Sequence, residues 1–402
     1  MISRYISSFI GSFDNLRGDG RGKILIALAC GWGLTIGGRM IYPVLLPHLR
    51  TAYDLDLAAA GTLLTLLFVA YALAQLPGGV LADRIGERTT LAASLLLAAG
   101  SLLLVIFASS RLVLFATTAV FGVAVGLFAI PRFTATATIY PDNYGTAIGI
   151  TNSSAELGQA LLPAIAGVVA FAVGWQFGFG FTIPLFVLIA LALWLTVPER
   201  PPDETSSVDT LSVGTARYVL AELRNPPVIL GTVILVFGMS IWQALTGFYP
   251  TYLVEEKGIS TVAASAIFGL YFVLSAIIHP ISGAVYDRWN IRYTFGIVGV
   301  SVLGFGMLPI VDGVPALVGV TILLGAFLGF VTATESYLIS ALPADMEGTG
   351  FGVLRTISFT VGAMSPVIFG AVADRGYFDE VFLVLGGLVV VMVLVGIRLP
   401  KD

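Results

Sequence analysis

The chain has 402 residues, of which 57% are hydrophobic and only 11% charged, with 20 Lys and Arg against 24 Asp and Glu. A soluble domain carries roughly 25% charged residues, so no water-facing surface can be assembled from this composition. One cysteine and two histidines allow neither an internal disulfide nor a usual metal cluster. The run Gly18-Asp-Gly-Arg-Gly-Lys23 has neither the spacing nor the Ser/Thr of a nucleotide loop. Enzyme, cofactor and ATP-driven readings therefore lack residues to carry them.

The apolar residues fall into blocks of about 20, the length that crosses roughly 30 Å of hydrocarbon as a helix, and only a helix satisfies every backbone group within one such block. In chain order the blocks predict twelve spans, at 23–47, 58–81, 89–108, 112–139, 144–172, 177–197, 226–253, 260–285, 293–311, 314–341, 348–373 and 379–398. The first follows a polar stretch without a small-residue cleavage site and is expected to remain as helix one. Cys30 within it reads as a small core residue. Thirteen of the Lys and Arg residues lie in connections on the side of the N-terminus, against four (Arg50, Arg111, Lys257, Arg375) on the other. Both termini are thus expected in the cytoplasm of a multi-pass plasma-membrane protein. Asp54, Asp56, Glu255 and Glu256 in the outer connections read as adaptation to salt.

The sequence repeats itself at a shift of 203: Gly122 and Gly126 fall on Gly325 and Gly329, Gly145 and Gly149 on Gly348 and Gly352, and Pro163 and Gly167 on Pro366 and Gly370. A parallel repeat of this kind predicts two related six-helix halves. The expected division is 1–197, a cytoplasmic linker at 198–225, and 226–402, with 210–223 either a short amphipathic surface helix or plain linker. The Gly-x-x-x-Gly pairs are expected to let helices approach closely.

After the second span the chain reads Gly79-Val-Leu-Ala-Asp83-Arg84-Ile-Gly86-Glu87-Arg88, and the second half carries Gly283-Ala-Val-Tyr-Asp287-Arg288-Trp-Asn290-Ile-Arg292. The first resembles the signature loop between helices two and three of the major facilitator superfamily; the second is a degenerate copy with Asn290 for the second glycine. The resemblance implies an all-α integral membrane fold of twelve helices in two pseudo-symmetric halves, rocking about a central site. Arg39 with Pro47, followed by Tyr71-Ala-Leu-Ala-Gln75-Leu-Pro77-Gly78-Gly79, is similar to the superfamily's anion:cation symporters, in which a helix-one arginine is associated with carboxylate or phosphate substrates. The helix-four Arg and acid of that subfamily fall at Thr118 and Val125, and the antiporter pattern of helix five survives only as Leu162-Pro163-Ala-Ile-Ala166-Gly167.

An ionisable side chain at bilayer depth costs roughly 2.5–3.5 kcal/mol on insertion scales and is a functional candidate by default. Arg39, Arg132, Glu156, Glu335 and Arg355 are such residues. At about 1.5 Å per residue, Arg39 and Glu156 lie near mid-membrane, with Arg132, Glu335 and Arg355 closer to the cytosol. Arg132 and Glu335 coincide under the 203 shift, which suggests an inner gate with Arg355 as a further partner, or else a permanent structural pair or a snorkelling arginine. Asp83, Arg84, Arg88, Asp287 and Arg288 form charge pairs at the inner turns on the same reading. Glu156 shares a helical face with Asn152 and Gln159 and is a candidate proton carrier, or a static partner of Arg39. His279 is a second, weaker proton candidate. Tyr71, Gln75, Trp242, Gln243 and Tyr249 are candidate cavity-lining, solute-binding residues.

The expected function is secondary transport of a small solute by a monomer in the bilayer, without cofactor, metal or nucleic acid. Proton-coupled uptake of an organic anion is one reading and export of drug-like amphipathic compounds the alternative. A non-transporting membrane sensor is the second class, for which the short termini leave no signalling domain.

Overall fold

The computed structural model describes residues 21–199, 225–342 and 347–399. Most of the 198–225 linker, with its 210–223 segment, lies outside the described residues, as do Arg4, Arg17, Arg200, Arg217, Arg224 and Lys401. The described secondary structure is helical: α1 Arg21–Tyr53, α2 Leu57–Ile85, α3 Glu87–Ile106, α4 Arg111–Ile139, α5 Pro141–Val173, α6 Trp175–Thr196, α7 Pro226–Glu255, α8 Thr261–Trp289, α9 Ile291–Met307, α10 Val314–Ala341, α11 Gly350–Ala373 and α12 Phe378–Gly396. Eleven are long and apolar enough to cross a membrane, and α9 is the shorter apolar twelfth.

Local chemistry sets the ends. Asp54 closes α1 in the left-handed region at φ 51°, and the Asp56 carboxylate accepts a hydrogen bond from the Ala59 amide at 2.6 Å as α2 begins. α9 stops at Met307, short of the expected 311: Leu308 still has helical backbone and donates to the Gly304 carbonyl, but Pro309 next to it has no N–H with which to continue the ladder. The signature turn needs positive φ, which Gly86 supplies at 85° and Asn290 at 127°. Asn290 sustains it by accepting the Arg292 amide on its own side chain at 2.9 Å. The degenerate copy therefore keeps the geometry of the original.

Within the first six spans α2 packs on α4, α1 on α5, and α3 on α4 and α6; in the other six α8 packs on α10, α7 on α11, and α9 on α12. That matched set is the packing counterpart of the 203-residue repeat. The two sets meet through α5 with α8, α2 with α11, and the second segment of α1 with α7. Backbone touches backbone there: a Cβ at Gly61 or Gly370 would strike the carbonyl of Pro366 or Leu57, and one at Gly269 the carbonyl of Ala160. All these contacts lie toward the end that carries the α1–α2 and α7–α8 connections. At the opposite end Gly145, Gly149 and Gly352 have nothing within 4 Å of them.

Two expectations need correction. Gly122 and Gly126 do seat α4 against the α2 carbonyls of Leu67 and Tyr71, but Gly145, Gly149 and Gly352 bring no helix close in this state. Cys30 is exposed, on the same α1 face as the exposed Ile26 four residues earlier, so it is not a core residue.

Candidate solute site

α1 is broken at Arg39, and the break is written in sequence. Pro43 cannot donate to the Arg39 carbonyl four residues back, and Met40 instead bonds the Gly37 carbonyl at 3.0 Å. Gly33 and Gly37 lie against α5 backbone at Ser154 and Gly158, which fixes this segment in the centre of the bundle. Arg39 is 3% exposed, and its Nε and Nη1 have no hydrogen-bond partner.

Three rings surround that guanidinium. Its Cζ is 4.2 Å from the ring centre of Tyr71, 5.5 Å from Phe68 and 5.6 Å from Phe359. Phe68 and Tyr71 share an α2 face at i, i+3 spacing, while Phe359 reaches in from α11 and packs 5.4 Å from Tyr71. Cation–π contacts contribute about 2 kcal/mol when desolvated, whereas a buried ion costs several. The rings offset part of that cost and leave the charge without a counter-ion, since Arg39 forms no ion pair among the described residues.

Glu156 is therefore not the static partner of Arg39. Its carboxylate accepts a hydrogen bond from Ser275 on α8, which joins the two halves near the base of their contact. Asn152, one turn away, accepts from Arg132 Nη1 at 3.3 Å, and Thr151 accepts from the same nitrogen. Arg132 is 1% exposed and lies between the rings of Trp32, at 4.3 Å, and Phe133, at 4.0 Å. A snorkelling side chain would reach water; this one does not.

Glu335 sits 3.5 Å from Arg355 Nε, and Arg132 does not join that pair, although it lies within electrostatic range of Arg355. At the turns, Arg88 pairs with Glu199 at 3.6 Å and covers Trp194, and Arg288 covers Trp289 at 5.5 Å. Asp83, Arg84 and Asp287 are exposed and form no ion pair among the described residues. His279 bonds Thr332 on α10 at 2.9 Å.

Among the expected lining residues, Gln243 is fully buried, donating from Nε2 to the Phe359 carbonyl at 3.0 Å and leaving Oε1 unpartnered. Tyr249 turns its hydroxyl to Thr321 on α10 at 2.7 Å, and Gln75 and Trp242 are half-buried. The rings of Phe68, Phe359 and Trp32 are indistinguishable in sequence from apolar packing, and Ser275 stands out there only as a neighbour of His279 at i+4 spacing, not as a partner of Glu156. Nor was a clasp at the closed end, where Arg50 pairs with Glu255 across the halves and the Leu57 amide donates to Asp374 at 3.1 Å. Asp54 pairs with Arg111 at 2.9 Å and Asp56 caps α2, so Asp54, Asp56 and Glu255 hold structural partners.

The family model described as Major Facilitator Superfamily matches residues 28–366. A probable sulfoacetate transporter, SauU, of Cupriavidus necator is 27% identical over 87% of this chain and 87% of its own length. The hexuronate transporter of Bacillus subtilis is 27% identical over 86% and 87%, and the quinolone resistance protein NorA of Staphylococcus aureus 26% over 89% and 92%. Among solved structures, a point mutant of the nucleoside transporter NupG superposes with a TM-score of 0.81 over 94% of this chain and 100% of its own, at 16% identity; that likeness concerns the fold alone.

Proposed function

We propose, because the chain belongs to the Major Facilitator Superfamily and is a secondary transporter working by alternating access, that its solute is a small organic anion bound at Arg39 and taken up with a proton. The observation that carries this reading is the Arg39 guanidinium, buried at the centre of the bundle, ringed by Phe68, Tyr71 and Phe359, and lacking an acidic partner. A planar fork of donors suits carboxylate, sulfonate or phosphate, and an anion there supplies the missing counter-charge. Two relatives carrying names of anion transporters support the same class.

In this reading the basic end of the bundle faces the cytoplasm with both termini, and the solute cavity opens inward there, where Gly145, Gly149 and Gly352 have open space beside them. The halves correspond to 1–197 and 226–402 joined by the linker, and the protein acts as a monomer. Glu156, linked to Ser275 across the halves, takes the coupling proton. Tyr71, Gln75, Trp242, Gln243 and Tyr249 line the path. Asp83, Arg84, Arg88, Asp287 and Arg288 at the turns, with Arg132, Glu335 and Arg355 deeper, are the groups brought together when the inner end closes.

Proteoliposomes loaded at alkaline pH and diluted into acidic buffer test the reading. Accumulation of radiolabelled carboxylates or sulfonates, competed by other organic anions and not by cationic dyes, is expected. Extrusion of dyes with no anion accumulation would replace it with the drug-export reading, toward which the NorA likeness points.

A further inference from the structure

We propose that Arg132 is a second anion-binding residue of the same cavity, so that the transported solute is a dianion whose two acidic groups engage Arg39 and Arg132 together. The inference rests on the anion reading of Arg39, adds the charge of the solute, and gives Arg132 a binding role in the open state besides its part in closing the inner end.

Trp32 and Arg39 are seven residues apart on α1, which sets them on one helix face about 10 Å apart along the axis. The Arg132 guanidinium lies 4.3 Å from the Trp32 ring, and Tyr71, in contact with Arg39 at 4.2 Å, also lies within electrostatic range of Arg132. The two guanidiniums are thus both close to the Trp32–Arg39 face of α1, and both are near Tyr71.

Both are buried, at 3% and 1% exposure, and each has an unpartnered Nε. Neither forms an ion pair among the described residues. The nearby acids are committed elsewhere, Glu156 to Ser275 and Glu335 to Arg355. Arg132 is held in place from behind, by Thr151 and Asn152 on Nη1 and by the Phe133 ring, so its orientation precedes any ligand.

Two fixed positive charges in a medium of low dielectric are not neutralised by one negative charge. A monoanion leaves one guanidinium uncompensated, and a dianion leaves none. Each guanidinium–carboxylate contact spans about 4 Å between carbon centres. The two guanidiniums therefore suit the two ends of one short dicarboxylate or its sulfonate counterpart, and the chain length that bridges them is read from the series below.

The test uses the purified full-length transporter in detergent and measures affinity calorimetrically for succinate, glutarate and adipate. Butyrate, hexanoate and monomethyl succinate serve as monoanions of similar size. The dicarboxylates are expected to bind at least tenfold more tightly. Arg132→Gln should lower dicarboxylate affinity to the monoanion level and change monoanion affinity less than twofold, with Arg132→Lys recovering part of the difference. Equal affinities for the two series in the wild type overturn the dianion proposal even where Arg132→Gln does not fold. Equal losses for both series in that variant also overturn it and leave Arg132 without a binding role, acting in structure or gating alone. Failure of every anion to bind removes the Arg39 reading as well, and the two failures are thereby told apart.

Discussion

At the level of single residues, Arg39 and Glu156 have different environments and separable predictions. A bidentate contact to an oxyanion depends on guanidinium shape, so Arg39→Lys, which keeps the charge, is expected to weaken anion binding at least tenfold with a melting temperature near wild type. Retained affinity in the lysine variant would refute the anion site. Glu156 accepts from Ser275 across the halves, and a carboxyl at that depth can gain and lose a proton during the cycle. Glu156→Gln mimics the protonated acid, and it should abolish accumulation driven by a pH gradient while solute exchange continues. Accumulation with wild-type pH dependence in that variant moves the proton to Glu335 or His279. The sequence marked Arg39 and Glu156 because charge in an apolar block is conspicuous. It did not reveal their partners, because Phe68, Phe359 and Ser275 are ordinary residues for such helices and acquire a role only by meeting across spans.

At the level of helices, the twelve spans were legible from hydropathy alone, and their ends from Asp, Asn, Gly and Pro chemistry. What the glycines do was not, because a small residue looks the same in sequence whether it is packed or poised. Gly158 lies against the Gly33 carbonyl of α1, whereas Gly149, nine residues earlier on α5, has open space around it. At its far end α5 meets α8 through Gly167 and Ser265, and alternating access requires its near end to approach a neighbour when the cavity closes. Gly149→Leu adds a good helix former to an unobstructed position, so it should fold with an unchanged or raised melting temperature. It should bind solute from the open side yet lose transport at least tenfold. Gly158→Leu has no such freedom and is expected to express poorly. A Gly149→Leu protein that transports normally would show that this face never closes.

At the level of the whole molecule, the repeat made the two-half plan legible, but which end is shut depends on contacts between halves that no single-chain pattern encodes. The shut end combines glycine seams, which set how closely the halves fit, with a polar clasp of Arg50 on Glu255 and the Leu57 amide on Asp374. The Arg50 and Glu255 side chains are 19% and 31% exposed, so the pair is partly screened and its contribution is about 1 kcal/mol at most. An equilibrium between two states responds to an interaction made in only one of them, and about 1 kcal/mol corresponds to a roughly fivefold change in their ratio. Glu255→Gln should therefore increase the population open at the clasp end by up to that factor without altering the fold. Spin labels at Phe107 and Ile310, both highly exposed near that end of α3 and α9, report it in a background where the exposed Cys30 is replaced by serine. The expected result is a longer-distance component in the pulsed electron–electron distance distribution, stronger in Glu255→Gln than in the labelled parent and reduced again at saturating anion if the ligand favours the inward-open form. Identical distributions in parent and variant would mean that the glycine seams alone hold the end shut and that the ion pair is incidental to the cycle.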